Sequence, residues 1–195
     1  MGKSEQTRAF IIQKTAPLFN SKGYAGTSLS DMTDATKLTK GSIYGNFANK
    51  DEVALAVFDY NLNKVASIIS KEMDRRRSAK EKLLVYGEVY SNYEKYAFPF
   101  GGCPILNTAI ESDDTHPELK KQVAVAINNW KKNIVRIIEK GIVAKEFAKG
   151  TDTEQVALTI IALIEGGIMI SKATGKSAYR AIIMKSLQEY IGQMK

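Results

Sequence analysis

The sequence contains few of the residues that build disulfides, metal sites and irregular loops. Its 195 residues include one cysteine, one histidine and four prolines. A single cysteine, Cys103, excludes a disulfide within the chain, and a single histidine, His116, excludes a histidine-rich metal site. Because proline interrupts helices, so few prolines favour long ones.

Long apolar runs and an export signal are also missing. The longest nearly unbroken apolar run spans residues 160–164 and is followed by Glu165, far short of a membrane span. Residues 2–6 offer no cationic start leading into an apolar segment, so we expect no export signal. Apolar residues nevertheless make up 44% of the chain and charged residues 25%, as in soluble proteins with a core. We therefore expect a cytoplasmic protein with no membrane partner.

Positive charge is concentrated near the N-terminus. The formal net charge is +7; the first 50 residues hold seven Lys and Arg against three Asp and Glu, and the other 145 hold 21 against 18. A small basic segment joined to a nearly balanced larger one is typical of a protein that binds a polyanion and has a second function. A solvated basic surface would explain the composition equally well.

Apolar residues recur at helical spacing along the whole chain. Capping signals support this reading; Thr151 with Glu154, for example, forms a capping box, and Gly175 is a typical helix stop. No β-alternation longer than a few residues competes. The sequence predicts an all-α fold of about nine helices, at residues 4–22, 28–36, 40–46, 50–75, 79–97, 104–112, 117–140, 152–173 and 177 to the C-terminus.

The first helices have the arrangement of a helix-turn-helix, with three or four residues between the second and the third. The segment from about residue 7 to residue 53 resembles the signature of the TetR family of bacterial transcriptional regulators. The matching residues are Gly23-Tyr24, Thr27-Ser28-Leu29, Asp31-Met32, Thr39-Lys40-Gly41-Ser42-Ile43-Tyr44, Phe47 and Asn49-Lys50-Asp51-Glu52. The resemblance implies a homodimeric repressor with a DNA-binding domain at residues 1–48 and an effector-binding and dimerisation domain at residues 49–195. It further implies two partners besides a second copy, double-stranded operator DNA and a small-molecule effector.

Helix starts and hydroxyl groups in this segment suit contacts with DNA. Backbone N–H groups at a helix start attract phosphate oxygens, and Gly41 lets the recognition helix approach base edges closely. Polar side chains add hydrogen bonds to bases and phosphates. The candidate DNA-binding residues are Thr27, Ser28, Lys37, Thr39, Lys40, Gly41, Ser42, Tyr44, Asn46 and Lys50. The apolar neighbours are interpreted as the core beneath them, namely Leu29, Met32, Leu38, Ile43 and Phe47.

One position departs from the family pattern in the bend between the second and third helices. The family usually has glycine there, whereas this chain has Lys37. Lysine tolerates a left-handed backbone poorly.

Aromatic residues later in the chain suggest a ligand pocket. Tyr86, Tyr90 and Tyr93 recur at helical spacing, and each buried hydroxyl needs a hydrogen-bond partner. An aromatic stripe is also typical of an ordinary core, so that alternative stays open. The candidate residues for an aromatic or amphipathic effector are Tyr86, Tyr90, Tyr93, Cys103, Asn107, Trp130, Glu165 and Met169.

The last two helices carry a candidate dimer interface. Gly166 and Gly167 reduce helix stability but let another helix approach closely. With Tyr179, Ile183 and Leu187 on the last helix, they would form the surface that the resemblance implies, a four-helix contact between two copies.

A further stretch resembles one found in a subset of TetR-type regulators. It consists of Gly101-Gly102-Cys103-Pro104, then Asn107, then residues 111–117. Pro104 predicts that Cys103 lies at a helix start, where the helix dipole favours a thiolate. A redox- or electrophile-responsive repressor is therefore one alternative, and a DNA-binding regulator without a ligand is another.

We expect no enzymatic activity, cofactor or metal site. An enzyme needs a nucleophile, a base and an orienting group. His116 is the one histidine of the chain, and no serine or cysteine stands in a recognisable catalytic pattern with it. The acidic turn that contains His116 is more typical of a loop than of a metal site.

Overall fold

A computed structural model describes residues 2–93 and 95–194 of the chain. Within these residues the chain forms nine α-helices and no strand, which confirms the expected all-α class. The helices are α1 (Lys3–Lys22), α2 (Leu29–Thr36), α3 (Lys40–Tyr44), α4 (Lys50–Met73), α5 (Ala79–Ser91), α6 (Pro104–Thr115), α7 (Pro117–Val143), α8 (Thr153–Thr174) and α9 (Ser177–Gln193).

The chain divides into two compact units, of which the first comprises Met1–Val65 and Pro99–Ala124. It contains α1, α2, α3, the start of α4, all of α6 and the start of α7. The unit is larger than the head that the sequence predicts at residues 1–48, because Val57 and Phe58 of α4 are buried in its core. The other buried apolar residues of this core include Ile11, Phe19, Met32, Ile43, Phe47 and Ile105.

The second unit comprises Ala66–Phe98 and Val125–Lys195. It contains the end of α4, all of α5, the rest of α7, and both α8 and α9. Its buried apolar residues include Leu83, Val89, Ile134, Ile138, Ile160, Ile164, Met184 and Leu187.

Helix α8 is the most apolar element of the second unit. Its N-cap is Asp152, whose carboxylate accepts the N–H groups of Glu154 and Gln155, and not Thr151 as the sequence predicts. By length and composition α8 is able to cross a membrane, and 44% of its most apolar 18 residues are buried within the chain. A core helix of a soluble protein passes the same test.

Helix α5 ends at Ser91, six residues before the predicted end. Asn92 leaves the helical conformation, and its side-chain oxygen accepts the backbone N–H of Lys95 at 3.2 Å. An asparagine that binds nearby backbone groups competes with continuation of a helix. Tyr93 therefore lies in the turn after α5 and not on the helix.

Candidate functional site

Helix α2 starts with a complete capping box. The Ser28 hydroxyl accepts the Asp31 N–H at 3.0 Å, and the Asp31 carboxylate accepts the Ser28 N–H at 2.8 Å. The Lys22 ammonium lies 2.6 Å from the same carboxylate. Lys22 first, and then the Ser28 hydrogen bonds, hold the pKa of Asp31 well below its usual range. The cap is therefore ionised at neutral pH.

The turn between α2 and α3 has three residues and begins in a left-handed conformation. Lys37 has φ 57° and ψ 22°, so a lysine takes the backbone conformation that usually belongs to glycine. The Thr36 hydroxyl accepts the N–H of Leu38 at 3.2 Å. The Thr39 hydroxyl accepts the N–H of Ser42 at 3.2 Å and caps α3, as the sequence predicts.

Beneath this turn lies a small apolar core. Met32, Ile43 and Phe47 are buried, and Leu29 and Leu38 are partly buried. This confirms that these residues support α2 and α3 from inside. The side chains left outside are those available to a partner.

We define the recognition face as Lys37, Thr39, Lys40, Gly41, Ser42 and Tyr44. The first four are exposed, and Ser42 and Tyr44 are partly exposed. Within the described residues, neither Lys37 nor Lys40 has a carboxylate within 4.0 Å of its ammonium group. The face therefore presents two cations that no acid of the described chain neutralises.

Gly41 leaves an open space at the centre of the recognition face. A Cβ built on Gly41 would have one neighbour within 4 Å, the Thr39 hydroxyl at 4.0 Å, and its φ is not positive. Nothing in the described chain therefore requires glycine at this position. The absence of a side chain at position 41 leaves room for a binding partner to approach the recognition face.

Thr27 has a different role from the predicted phosphate contact. It is 0% exposed, and its hydroxyl donates to the Gly23 carbonyl at 2.7 Å. Burial removes this hydroxyl from any surface contact, so Thr27 fastens the chain before α2. Ser28 stays exposed at the helix start.

Asn46 is held from two sides. Its amide nitrogen donates to the Ser42 carbonyl at 2.9 Å, and its side-chain oxygen accepts the Ser4 hydroxyl at 3.1 Å. Asn46 thus connects α1 to the end of α3. A base contact by its amide, as predicted, would require these bonds to be exchanged.

Lys50 lies against an aromatic ring rather than in open solvent. Its ammonium is 4.3 Å from the Tyr24 ring centroid. The Tyr24 hydroxyl donates to Asp51, and chiefly this bond raises the pKa of Tyr24 to about 12. The start of α4 is thereby joined to the turn after α1.

Arg8 is a residue that the sequence analysis missed. Its guanidinium donates to the Asn46 carbonyl and to Glu52, each at 2.6 Å, and lies 4.0 Å from the Phe47 ring centroid. The Ala48 N–H, and after it Arg8, lower the pKa of Glu52. Glu52 stands three residues after Asn49 as a cap signal, but no local pattern marks Arg8.

The predicted ligand residues of the second unit form an aromatic cluster, which we define as Tyr86, Tyr90, Tyr93, Phe98 and Trp130. The Tyr90 ring stacks on Trp130 at 5.6 Å between centroids, and Tyr86 lies 5.9 Å from Trp130. Phe98, which the sequence analysis did not single out, is 4.4 Å from Tyr93 and 5.2 Å from Tyr90. Burial raises the pKa of Tyr86, and the Trp130 indole opposes this shift.

Four other predicted ligand residues lie outside this cluster. Cys103 and Asn107 belong to the first unit. Cys103 is the N-cap of α6 and is 1% exposed. Glu165 is partly buried on α8, whereas Met169 is 48% exposed and so does not line the interior of the second unit.

The predicted dimer residues divide into inner and outer ones. Leu187 is fully buried and packs beside Gly87, so it belongs to the core and not to the surface as predicted. A Cβ on Gly167 would lie 3.0 Å from the Met184 side chain, which shows that Gly167 serves the packing of α8 on α9. A Cβ on Gly166 would meet nothing within 4 Å.

The outward side of α8 and α9 keeps several apolar groups exposed. We define this outer face by its exposed residues, Leu158, Met169, Ile170, Tyr179 and Ile182, together with Gly166. Ile183 is partly buried against Gly167 and is not counted in the outer face. Exposed apolar residues on the outward sides of two neighbouring helices are typical of a protein contact.

Comparison with known proteins agrees with this architecture. A family model described as bacterial regulatory proteins of the tetR family matches residues 11–57, and one described as a tetracyclin repressor-like C-terminal domain matches residues 79–187. A crystal structure of a TetR-family regulator from Cytophaga hutchinsonii is 52% identical, covering 100% of this chain and 98% of its own, with a TM-score of 0.96. A TetR regulator from Chloroflexus aurantiacus is 36% identical with coverages of 100% and 98% and a TM-score of 0.93.

Curated proteins give the same result at lower identity. The HTH-type transcriptional regulator in the lacX 3′ region of Lactococcus lactis subsp. lactis is 28% identical over 175 residues, which are 86% of this chain and 84% of that protein. The family model of the C-terminal domain alone covers more than half of the chain. The protein therefore belongs to the TetR family and is a DNA-binding transcriptional regulator.

Proposed function

We propose that this regulator is a repressor that binds a pseudo-palindromic operator as a homodimer and is released by a small aromatic or amphipathic molecule. The observation that carries the DNA-binding part is the recognition face. It combines two lysines that lack acidic partners in the described chain with a glycine that the described chain does not require. A polyanion that approaches closely accounts for both features.

The parts of the recognition face have distinct roles in this proposal. Lys37 and Lys40 neutralise phosphates on either side of the major groove, and Tyr44 donates its hydroxyl to a phosphate. Ser42 reads a base edge where Gly41 leaves room for the approach. Ser28 at the start of α2 contacts the DNA backbone in this proposal, and its hydroxyl then exchanges its 2.7 Å bond to the Asp31 carboxylate for a bond to a phosphate oxygen.

The outer face of α8 and α9 supports the homodimer. A second copy that covers the exposed side chains of Leu158, Met169 and Ile182 removes their apolar area from water, which favours association. Gly166 leaves the space that lets a partner helix approach. Two copies related by a two-fold axis present two recognition faces, which is why a pseudo-palindromic operator fits.

The aromatic cluster supports an effector site in the second unit. Its rings provide an apolar lining with phenol hydroxyls that orient a ligand. Because the rings pack directly on one another, an effector has to displace at least one of them. A regulator that binds DNA without an effector is the alternative, and a screen of aromatic compounds for thermal stabilisation and operator release decides between them.

A regulator of this kind works where the chromosome is, so we assign it to the cytoplasm. The apolar side of α8 is then covered by the second copy and not by lipid. An enzymatic activity has no place in this proposal, since DNA and effector binding account for the recognition face, the outer face and the aromatic cluster.

The experiment that tests the proposal starts with selection of operator DNA from random duplexes by the purified protein. Binding of the selected operator is then measured for Lys40→Ala and for Lys64→Ala, which removes the same charge from an exposed site on α4. We expect Lys40→Ala to weaken binding by about tenfold and to reduce the salt dependence by about two counterions per dimer. Lys64→Ala should bind like the parent.

Two results would contradict the proposal. One is a parent protein that enriches no sequence from the random pool. The other is a selected operator that Lys40→Ala binds as tightly, and with the same salt dependence, as Lys64→Ala does.

A further inference from the structure

The carboxylate of Glu111 on α6 holds the turn that leads into the helix-turn-helix. One of its oxygens accepts the backbone N–H of Tyr24 at 2.6 Å, and the other accepts the backbone N–H of Ala25 at 2.6 Å. Both N–H groups lie between α1 and α2. Hydrogen bonds to an ionised carboxylate are stronger and shorter than those between neutral groups.

Gly23 makes room for this contact. Its φ is +77°, and a Cβ there would lie 2.3 Å from a carboxylate oxygen of Glu111. The carboxylate therefore occupies the space that any other residue at position 23 would fill. Two positions 88 apart in the sequence have complementary requirements.

A second contact lies one turn earlier on the same side of α6, since positions i and i+4 of a helix share a face. The Asn107 amide donates to the Asn20 carbonyl at 2.8 Å and to the Gly101 carbonyl at 2.9 Å. The Asn20 amide in turn donates to the Phe100 and Gly102 carbonyls at 2.6 and 2.9 Å. The stretch of residues 100–111 thus holds the end of α1 as well as the turn after it.

The held turn continues directly into the DNA-binding helices. The Thr27 hydroxyl donates back to the Gly23 carbonyl at 2.7 Å, and Ser28 caps α2 immediately afterwards. A shift of the Tyr24–Ala25 backbone therefore shifts the start of α2. Helix α3 follows α2 after a turn of three residues and shares its buried core.

We propose that Glu111 is a positioning residue for operator recognition: from outside the helix-turn-helix, it sets the turn before α2 and thereby the direction of the recognition face. This role rests on the proposed DNA-binding function of that face. It also assigns Asn107 to the positioning of α1 rather than to an effector. Glu111 itself does not contact DNA in this role.

The direction of the effect separates positioning from simple electrostatics. Glu111→Gln keeps the size of the side chain but leaves a single oxygen to accept the N–H groups of Tyr24 and Ala25. Its NH2 group then faces one of these N–H groups, so two donors are placed against each other. Removing a negative charge by itself strengthens binding to a polyanion. We expect the opposite, a loss of operator affinity of about tenfold, with binding to a scrambled duplex unchanged.

The experiment compares the parent with Glu111→Gln and with Glu118→Gln, which removes the same charge from an exposed residue of α7. Affinities for the selected operator and a scrambled duplex are measured on folded protein, and hydrogen exchange reports the Tyr24 and Ala25 amides. Glu111→Gln should lose operator preference and exchange these amides faster than Glu118→Gln does. Should Glu111→Gln not fold, Glu111→Asp decides, because it keeps the charge but has a shorter reach and should lose operator affinity by several-fold.

The outcomes are distinguishable from a failure of the proposed function. A parent that selects an operator, with Glu111 variants that bind it as tightly as Glu118→Gln, overturns the role of Glu111 alone. Equal loss of affinity for operator and scrambled DNA also overturns it, because positioning acts on recognition. A parent that selects no operator overturns the proposed function and this role together.

Discussion

The two units of this protein differ in the contacts that stabilise the interior of each. In the first unit, side chains distant in sequence bind backbone groups: Arg8 binds Asn46, Asn107 binds Asn20, and Glu111 binds the turn after α1. The second unit has such contacts as well, where Glu146 accepts N–H groups at the start of α5, Lys80 donates to the Gly192 carbonyl and Arg180 donates to the Ser91 carbonyl. It also contains the aromatic cluster, whose rings pack on one another. Hydrogen bonds fix an orientation, whereas apolar contact is non-directional. The polar contacts of the first unit therefore suit the positioning of its helices, and the packed rings of the second suit the effector site proposed above.

Two helical glycines, one in each unit, differ from the glycines that the chain itself requires. Gly101 and Gly23 are required by their own chain, because their φ values are positive and a Cβ would meet neighbouring atoms below 3 Å. Gly41 on α3 and Gly166 on α8 have no such requirement within the described chain. Glycine in a helix costs up to about 1 kcal/mol relative to alanine. In the proposed function, close approach by DNA at Gly41 and by a second copy at Gly166 accounts for these two glycines.

The largest effect should follow from a charge on the outer face of α8 and α9. Ile182 is 61% exposed, so Ile182→Glu should leave the folded subunit intact but place a carboxylate in the proposed contact between two copies. We expect a monomer by analytical ultracentrifugation. Operator affinity should fall by at least about hundredfold, because two linked recognition faces bind far more tightly than one.

Val143→Glu is the matched control for that substitution. Val143 is 84% exposed at the end of α7, and the change introduces the same charge at another apolar surface residue. This variant should remain dimeric with unchanged operator affinity. A dimeric Ile182→Glu would place the interface elsewhere and remove the argument from Gly166.

A smaller effect, of about tenfold, should follow from filling the space at Gly41. Gly41→Ala adds one methyl group whose one neighbour within 4 Å in the described chain is the Thr39 hydroxyl, at an unstrained 4.0 Å, so the melting temperature should stay equal or rise by up to about 3 °C. The same methyl group obstructs close approach to base edges, so we expect operator affinity to fall about tenfold. Stability and affinity then change in opposite directions.

Gly192→Ala is the control for this pair of measurements. Gly192 lies near the end of α9, and a Cβ there meets nothing within 4 Å. It should preserve or raise the melting temperature and leave operator affinity as it is. If Gly41→Ala also retains full affinity, the open space at Gly41 serves no DNA contact.

The sequence predicted what depends on local pattern. Helical spacing and caps such as Ser28 and Thr39 placed the helix ends within three residues, except for the end of α5. The motif supplied the residues proposed for the recognition face. Contacts between distant segments left no such signal; Arg8 and Glu111 reach backbone groups 38 and 87 positions away. Helical spacing likewise did not show that Leu187 faces inward.

The reactivity of Cys103 reports how well the interior of the first unit is shielded from solvent. The thiol is 1% exposed at the N-cap of α6. The preceding loop is fixed because the Asn20 amide binds the Phe100 and Gly102 carbonyls. An oxidant or electrophile therefore reaches the sulfur only when this loop opens, although a helix start favours a thiolate.

The smallest effect on operator affinity is accordingly expected for substitution of Cys103. Alkylation of Cys103 by iodoacetamide at neutral pH should be at least about hundredfold slower in the folded protein than in urea, because reaction waits for local opening. Cys103→Ser should bind operator as the parent does, and electrophiles should not release the parent from DNA. Fast alkylation of folded protein, with electrophile-induced release that Cys103→Ser abolishes, would instead establish a thiol switch. That result would show that the first unit, rather than the second, is the part that changes shape.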